Sequence, residues 1–204
     1  MQYILGGVTG GLGKVLSDLT RATAVSRQQC DLGFDASVES WATSLYERTH
    51  IINLAGVSRN AMLHKGNEQD WADTVQVNLI GNMRLIKHCR SVFKEHPGST
   101  LTLVGSVTTH SAPAGTGVYT ATKSALEGLT RVASREYAPF ARVNLLELGY
   151  YDQGMIKQVD TTAIVKTIPL GRLGTANDLW EAWKFIIACQ YVTGSIIPVN
   201  GGLA

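Results

Sequence analysis

The sequence predicts an α/β protein built on a doubly wound parallel sheet, and three observations carry that prediction. Short apolar runs of strand character alternate with longer helical runs along the whole 204 residues. The first strand runs into a glycine-rich turn and then a helix, an order that lets backbone approach a phosphate closely. Hydrophobic residues make up 45% and charged ones 17%, the balance of a mostly buried sheet and not of a disordered chain. That length suits one domain, residues 1–204, and no linker or low-complexity segment divides it.

Taken in order, Tyr3-Ile4-Leu5 reads as the first buried strand, and the turn Gly6-Gly7-Val8-Thr9-Gly10-Gly11-Leu12-Gly13 leads into a helix over residues 14–20. Thr23-Ala24-Val25-Ser26 is a second strand, ending at Arg27. The run that follows, Gln28-Gln29-Cys30-Asp31-Leu32, is too short for a crossover helix, which needs about a dozen residues. The helix after the second strand is therefore missing, and the edge strand beyond it is vestigial or absent. Residues 35–46 form a helix capped by Asp35, and Ile51-Ile52-Asn53-Leu54-Ala55-Gly56 is the next strand with its turn. A long helix covers residues 68–93 and contains Asn78, a mediocre helix former. Leu101-Thr102-Leu103-Val104-Gly105 is a buried strand with Ser106 at its tip, and residues 118–137 are helical. A strand over 142–148 opens into the loop Gly149-Tyr150-Tyr151. A turn-rich link over 169–175, an amphipathic helix over 177–190 and a last strand over 195–199 complete the pattern.

The chemistry concentrates in Ser106, Tyr119 and Lys123, spaced 13 and 4 residues apart. The Tyr/Lys pair falls on one helical face, roughly 6 Å apart, while the serine ends a strand. A strand tip and a helix start thus hold a hydroxyl, a phenol and an ammonium around one point. A free phenol titrates near about 10, and a neighbouring lysine cation favours its phenolate. The trio suits moving a proton on or off a carbonyl oxygen. Other residues leave two readings open. The Ser26-Arg27 pair suits a 2′-phosphate, yet Arg27 reads equally as a solvated turn residue. Asn53 finds its partners either in turn backbone or in a cofactor. Asn78, taken alone, is structural. His110 faces substrate or, more simply, solvent.

Composition excludes several classes. A net charge of +2 is too small for a nucleic-acid or membrane surface, and no apolar run reaches the roughly 18 residues of a membrane span. Cys30, Cys89 and Cys189 are odd in number and far apart, which points to reduced thiols in a cytoplasmic protein. The histidines show no metal-ligand spacing, so no metal is expected. The N-terminus lacks the features of a signal peptide.

Together these stretches resemble the short-chain dehydrogenase/reductases, most closely the 3-oxoacyl-carrier-protein reductase branch. The likeness rests on Gly7-x-x-x-Gly11-Leu12-Gly13, Asp31-Leu32, Asn53-Leu54-Ala55-Gly56, Val77-Asn78-Leu79, the Ser106/Tyr119/Lys123 set and the C-terminal signature from Ile168-Pro169-Leu170-Gly171 to Gly201-Gly202. Three departures stand out: Gly6 where threonine is usual, Leu148-Gly149 for Pro-Gly, and Gln153 for threonine.

The resemblance implies a Rossmann-type fold and an NADP(H)-dependent exchange of a ketone with a secondary alcohol by hydride transfer. NADP(H) is expected ahead of NAD(H). Tyr119 would be the general acid/base, Ser106 would hold the oxygen, Lys123 would bind ribose and lower the Tyr119 pKa, and Asn78 would anchor a water. Gly7, Thr9, Gly11, Leu12 and Gly13 would cradle phosphates, Ser26 and Arg27 the 2′-phosphate, and Asp31 and Leu32 the adenine. Asn53, Ala55, Gly56, Gly149, Tyr151 and Gln153, with Tyr119 and Lys123, would complete the cofactor contacts. The implied partners are a small carbonyl or alcohol, acyl thioesters included, and further copies of the chain in a homodimer or homotetramer. A catalytically idle nucleotide sensor or partner subunit is the competing expectation.

Overall fold

The computed structural model describes residues 1–6, 8, 11–153 and 161–203. Its elements run β1 (Gln2–Leu5), α1 (Leu12–Thr20), β2 (Thr23–Val25), α2 (Asp35–Thr43), β3 (His50–Asn53), a 3-10 turn (Leu63–Lys65), α3 (Glu68–Val75), a π turn (Gln76–Ile80) and α4 (Gly81–Glu95). They continue with β4 (Ser99–Ser106), α5 (Thr108–Ser111), α6 (Gly117–Tyr137), β5 (Ala141–Leu148), α7 (Thr162–Thr167), α8 (Ala176–Ala188) and β6 (Ile196–Val199).

The strands form one 6-stranded parallel sheet in the order β2-β1-β3-β4-β5-β6. No helix separates β2 from the start of α2, and β2 is the sheet edge, as the short run after Arg27 predicts. The chain steps outward from β1 to β2 and then returns to β3 on the other side of β1. The carboxyl ends of β1 and β3 consequently flank a topological switch point, the place where open α/β sheets bind ligands. β6 is the opposite edge, where Pro198 costs no ladder bond to a further strand.

Alternation within each strand builds a core on each face. Leu5, Ile51, Leu101, Leu103, Val143 and Leu145 pack with residues of α2, α4 and α6, among them Val38, Leu85, Phe93 and Tyr137. Their neighbours Ile4, Ile52, Val104, Leu146 and Leu148 pack on the other face with Leu16 of α1 and Leu179, Trp183 and Ile186 of α8. Period-two patterning of β-branched and leucine residues leaves neither face to water, as a doubly wound sheet requires.

Three boundaries differ from the sequence pattern. The helix expected over 68–93 is α3 and α4 joined by a π turn centred on Asn78. Asp35 does not cap α2: Phe34 is the extended N-cap residue, without a side-chain cap bond, and α2 stops at Thr43. The Asp35 carboxylate instead accepts bonds from Lys87 Nζ and bonds His88 Nε2, at 2.9 Å each, pinning α2 to α4. Tertiary pairing has overridden the local capping preference. The departure at Gly6 also has a cause, because Gly6 has φ +78° and a Cβ there would lie 2.3 Å from Ala55 Cα. A threonine cannot occupy that backbone without moving the β3 turn.

Candidate active site

Ser106 and Leu148 are register partners at the carboxyl ends of β4 and β5. Tyr119 lies in the first turn of α6 and Lys123 one turn later, so both side chains reach the same strand ends. Gly117 at the start of α6 lets the Leu63 side chain of the 3-10 turn pack closely, since a Cβ there would sit 2.7 Å from Leu63 Cδ2. The Tyr119 phenol and the Ser106 hydroxyl line the same cavity, and the serine acts on the phenol's pKa as a hydrogen-bonding neighbour. Lys123 is buried, donates from Nζ to the Val104 carbonyl at 2.8 Å and lies 5.7 Å from the Tyr119 ring centroid.

Asn78 is fully buried behind this trio. Its Oδ1 accepts from Val57 N at 2.9 Å, and its Nδ2 donates to Val57 O at 2.8 Å and to Thr122 Oγ1 at 3.3 Å. These bonds tie the Asn78 amide to the Gly56-Val57 turn and to Thr122. A Cβ at Gly56 would crowd Asn78 Oδ1 at 3.3 Å and come into ordinary contact with Lys123 Nζ at 3.7 Å. The π turn makes the arrangement possible by widening the helix around Asn78.

The electrostatics depart from the expectation that Lys123 dominates the phenol. Burial raises the Tyr119 pKa, and the neighbouring Ser106 hydroxyl opposes that rise. Burial also lowers Lys123 to about 8. The ammonium is anchored on the Val104 carbonyl and faces the ring of Tyr119, so desolvation is the larger influence on both groups.

A cavity of about 440 Å³ gathers Gly11, Leu12 and Gly13 with Gly56, Ser106, Tyr119, Lys123, Gly149, Tyr151 and Gln153. Gly11 is the N-cap of α1 and makes no side-chain cap bond, so the first N–H groups of that helix lie at the cavity without a side-chain acceptor among the described residues. This donor set and the missing Cβ atoms fit a dinucleotide pyrophosphate. Gly7 and Thr9 lie outside the described residues.

The remaining expected cofactor residues, and Tyr151 of the cavity, also make contacts within the protein. Asn53 is buried, with Oδ1 accepting from Ala55 N at 3.0 Å and Nδ2 donating to Asn82 Oδ1 at 2.8 Å, so it shapes the turn that carries Ala55. Leu32 is buried in the core, where it packs against Gly81. Tyr151 packs into the core beside α8 and donates from its hydroxyl to Val199 O at 3.1 Å. Arg27 follows the carboxyl end of β2 and donates from Nε to Asp31 Oδ2 at 2.8 Å, while Ser26 bonds Gln29. Partial burial acts against the Asp31 carboxylate, but the bonds from Arg27 and from Gly33 N–H prevail and lower its pKa.

Sequence reasoning missed three groups. Asn82 donates to the Asn78 carbonyl at 2.6 Å, linking Asn53 to the π turn, and its i+4 spacing from Asn78 was the available signal. Thr108 contacts Ser106 directly. The third is Glu147, buried on β5, which bonds His110 Nε2 at 2.7 Å while 53% of the His110 side chain stays exposed, as the solvent reading expects. Glu127 lies beside that pair, one ligand atom from each of the three falling within 4.8 Å of the others, which the separate positions in sequence concealed.

Residues 9–204 match the family model described as enoyl-(acyl carrier protein) reductase. Carbonyl reductase family member 4 of Danio rerio is 36% identical over 154 residues, which is 75% of this chain and 65% of that protein. The 3-oxoacyl-[acyl-carrier-protein] reductase FabG of Pseudomonas aeruginosa is 34% identical over 175 residues, 82% of this chain and 70% of its own. The chain spans just under two thirds of the Danio rerio relative and of the similar Bos taurus 3-oxoacyl-[acyl-carrier-protein] reductase, 65% in each. A solved small-chain dehydrogenase in complex with NADPH superposes with a TM-score of 0.89 at 25% identity, covering 100% of this chain and 98% of that one.

Proposed function

The chain belongs to the short-chain dehydrogenase/reductase family, and from that premise we propose that it reduces a ketone to a secondary alcohol with NADP(H). The observation that carries this reading is the convergence of Ser106, Tyr119 and Lys123 on the cavity that also receives the N-terminus of α1. The cofactor, when bound, supplies the hydride. Gly11, Leu12 and Gly13 would receive its phosphates, and Lys123 its nicotinamide ribose.

The protein's own residues would handle the oxygen. Ser106 holds the carbonyl oxygen at the strand tip, polarising the carbon. Tyr119 is protonated at neutral pH, as a phenol ordinarily is and as burial reinforces, so it stands as the proton donor to that oxygen. Lys123, poised at about 8, can replace the proton that Tyr119 gives up. Asn78 fixes the Gly56-Val57 turn against Lys123 and so keeps the site closed on that side.

The substrate is a small carbonyl compound, with acyl thioesters included because the relatives are named for them. The three cysteines are free, which suits the cytoplasm, and no helix among the described residues is long and apolar enough to cross a membrane. Val75, Met83 and Val132 expose apolar surface on α3, α4 and α6, which supports a homodimer or homotetramer through those helices. Ile86 and Leu126, by contrast, are core residues. NADPH and NADH oxidation measured against keto-esters, acyl thioesters, quinones and keto-sugars tests the reading. Oxidation with none of them, by protein shown to bind NADPH, would instead leave a nucleotide sensor.

A further inference from the structure

Ser106 has more partners than its expected task requires. A hydroxyl offers one proton and two acceptor positions. Thr108 approaches its Oγ twice, with the side-chain hydroxyl donating at 3.1 Å and the backbone N–H at 3.3 Å. Both acceptor positions are therefore filled from the Thr108 side. The Ser106 proton is left to point away from Thr108, into the cavity that Tyr119 also lines, and Ser106 opposes the rise that burial gives the phenol's pKa.

Thr108 is itself held in place. Val107 N donates to Leu148 O at 2.8 Å, and Thr109 Oγ1 donates to Ser106 O at 2.9 Å. The His110–Glu147 bond ties the same short helix, α5, to β5. Thr108 is buried and still lines the cavity beside Tyr119. Its side-chain oxygen is thus a fixed donor aimed at the one hydroxyl that must face the reacting oxygen.

We propose that Thr108 is a positioning residue that aims the one Ser106 proton into the cavity, where it meets the Tyr119 oxygen until a substrate oxygen takes that place. The substrate half of this statement rests on the carbonyl-reductase reading, whereas the Tyr119 half does not. In water a serine hydroxyl rotates among partners, and each turnover would have to reorient it. With both acceptor positions filled, that reorganisation is done in the folded state, which is where electrostatic catalysis gains.

The test separates the two halves. A fluorinated tyrosine placed at position 119 titrates nearer neutrality and is followed by fluorine NMR in the full chain, without substrate. Donation from Ser106 stabilises the phenolate and lowers the midpoint, so loss of its orientation must raise it. Thr108→Val should raise the midpoint by roughly half a pH unit, and Thr108→Ser should leave it in place. Turnover should fall about tenfold in Thr108→Val, with the Michaelis constant for NADPH unchanged, and return in Thr108→Ser. Thr108→Ala serves if the valine variant does not fold. An unchanged midpoint in Thr108→Val overturns the proposal. So does an equal shift in Thr108→Ser, which would make the methyl group the active part. Absence of turnover in the parent protein, with the midpoint still shifting, would defeat the reductase reading and leave the Ser106–Tyr119 geometry standing.

Discussion

Around Lys123 the polar groups are buried and bonded to backbone, whereas around Arg27 they lie near water and bond mostly to one another. Lys123 ends on Val104 O, Asn78 on Val57, and Asn82 on the Asn78 carbonyl. Arg27 keeps 80% of its side chain exposed and, among the described residues, meets only the Asp31 carboxylate within salt-bridge distance. The difference follows from the missing helix after β2. Central strands are covered on both faces, so their polar ends need internal partners, while β2 at the edge buries only Val25 of its own residues and passes into a solvated turn at Arg27. Geometry on the carbonyl side is thereby fixed before any ligand arrives. Contacts on the adenosine side are left to be made by the ligand. Substitutions should accordingly cost turnover or stability at the centre and only cofactor preference at the edge.

The largest effect is expected at Tyr119. Tyr119→Phe keeps the ring and its packing but removes the proton donor, so kcat should fall by the roughly 10²–10⁴ typical of a lost general acid. NADPH affinity, measured by fluorescence titration, should barely change. A variant with near-full kcat would move the chemistry away from the centre altogether.

Lys123 comes next, through pH. Its pKa is about 8 in the folded protein against 10.5 for the ordinary side chain, so the unfolded chain binds the extra proton between those values. Stability must then rise with pH across that window, by on the order of 3 kcal/mol if this group acts alone. Urea unfolding at successive pH values should show the rise in the parent protein and lose it in Lys123→Met. A slope of opposite sign would mean that the buried ammonium is better compensated than its single carbonyl partner suggests.

Asn82 probes the same central network without touching the chemistry. Asn82→Ala would leave the Asn53 amide without its acceptor and remove the side-chain bond to the Asn78 carbonyl. Such losses cost about 1–3 kcal/mol per buried group. Denaturant midpoints should register that loss, and hydrogen exchange should quicken in the π turn before it does in α8.

How much of this was legible in the sequence depends on the span of each interaction. The sheet was readable because alternation within Leu101-Thr102-Leu103-Val104 and its counterparts is local, and the missing helix because a stretch of chain was too short. The Ser106, Tyr119 and Lys123 spacing was readable because a helix converts i+4 into proximity. Asn82 with Asn53, and His110 with Glu147, were not, since each pair joins different elements and no periodicity marks it. Asp35 misled because its residue type suits a cap, while the decisive partners, Lys87 and His88, lie on another helix.

The smallest expected effect, and the one that most sharpens the contrast, is at the edge. Ser26-Arg27 ends β2 without a carboxylate at the position that would hold a ribose 2′-hydroxyl, and an adenosine 2′-phosphate carries close to two negative charges near neutral pH. A charge-assisted arginine contact to it would be worth about 1.5–3 kcal/mol, or roughly ten- to a hundredfold in affinity. Arg27 reaches Asp31 through Nε, which leaves its terminal nitrogens to take a phosphate. Arg27→Asp should therefore weaken NADPH by that factor and leave NADH binding unchanged or improved. Because the side chain is largely in solvent, its thermal midpoint should hardly move. Asp31→Ala would release Arg27 from its tether and should weaken NADPH by a smaller factor, since the guanidinium then loses orientation but not charge. An Arg27→Ala protein with the parent's NADPH Michaelis constant would make the Arg27–Asp31 pair a turn fastener and nothing more.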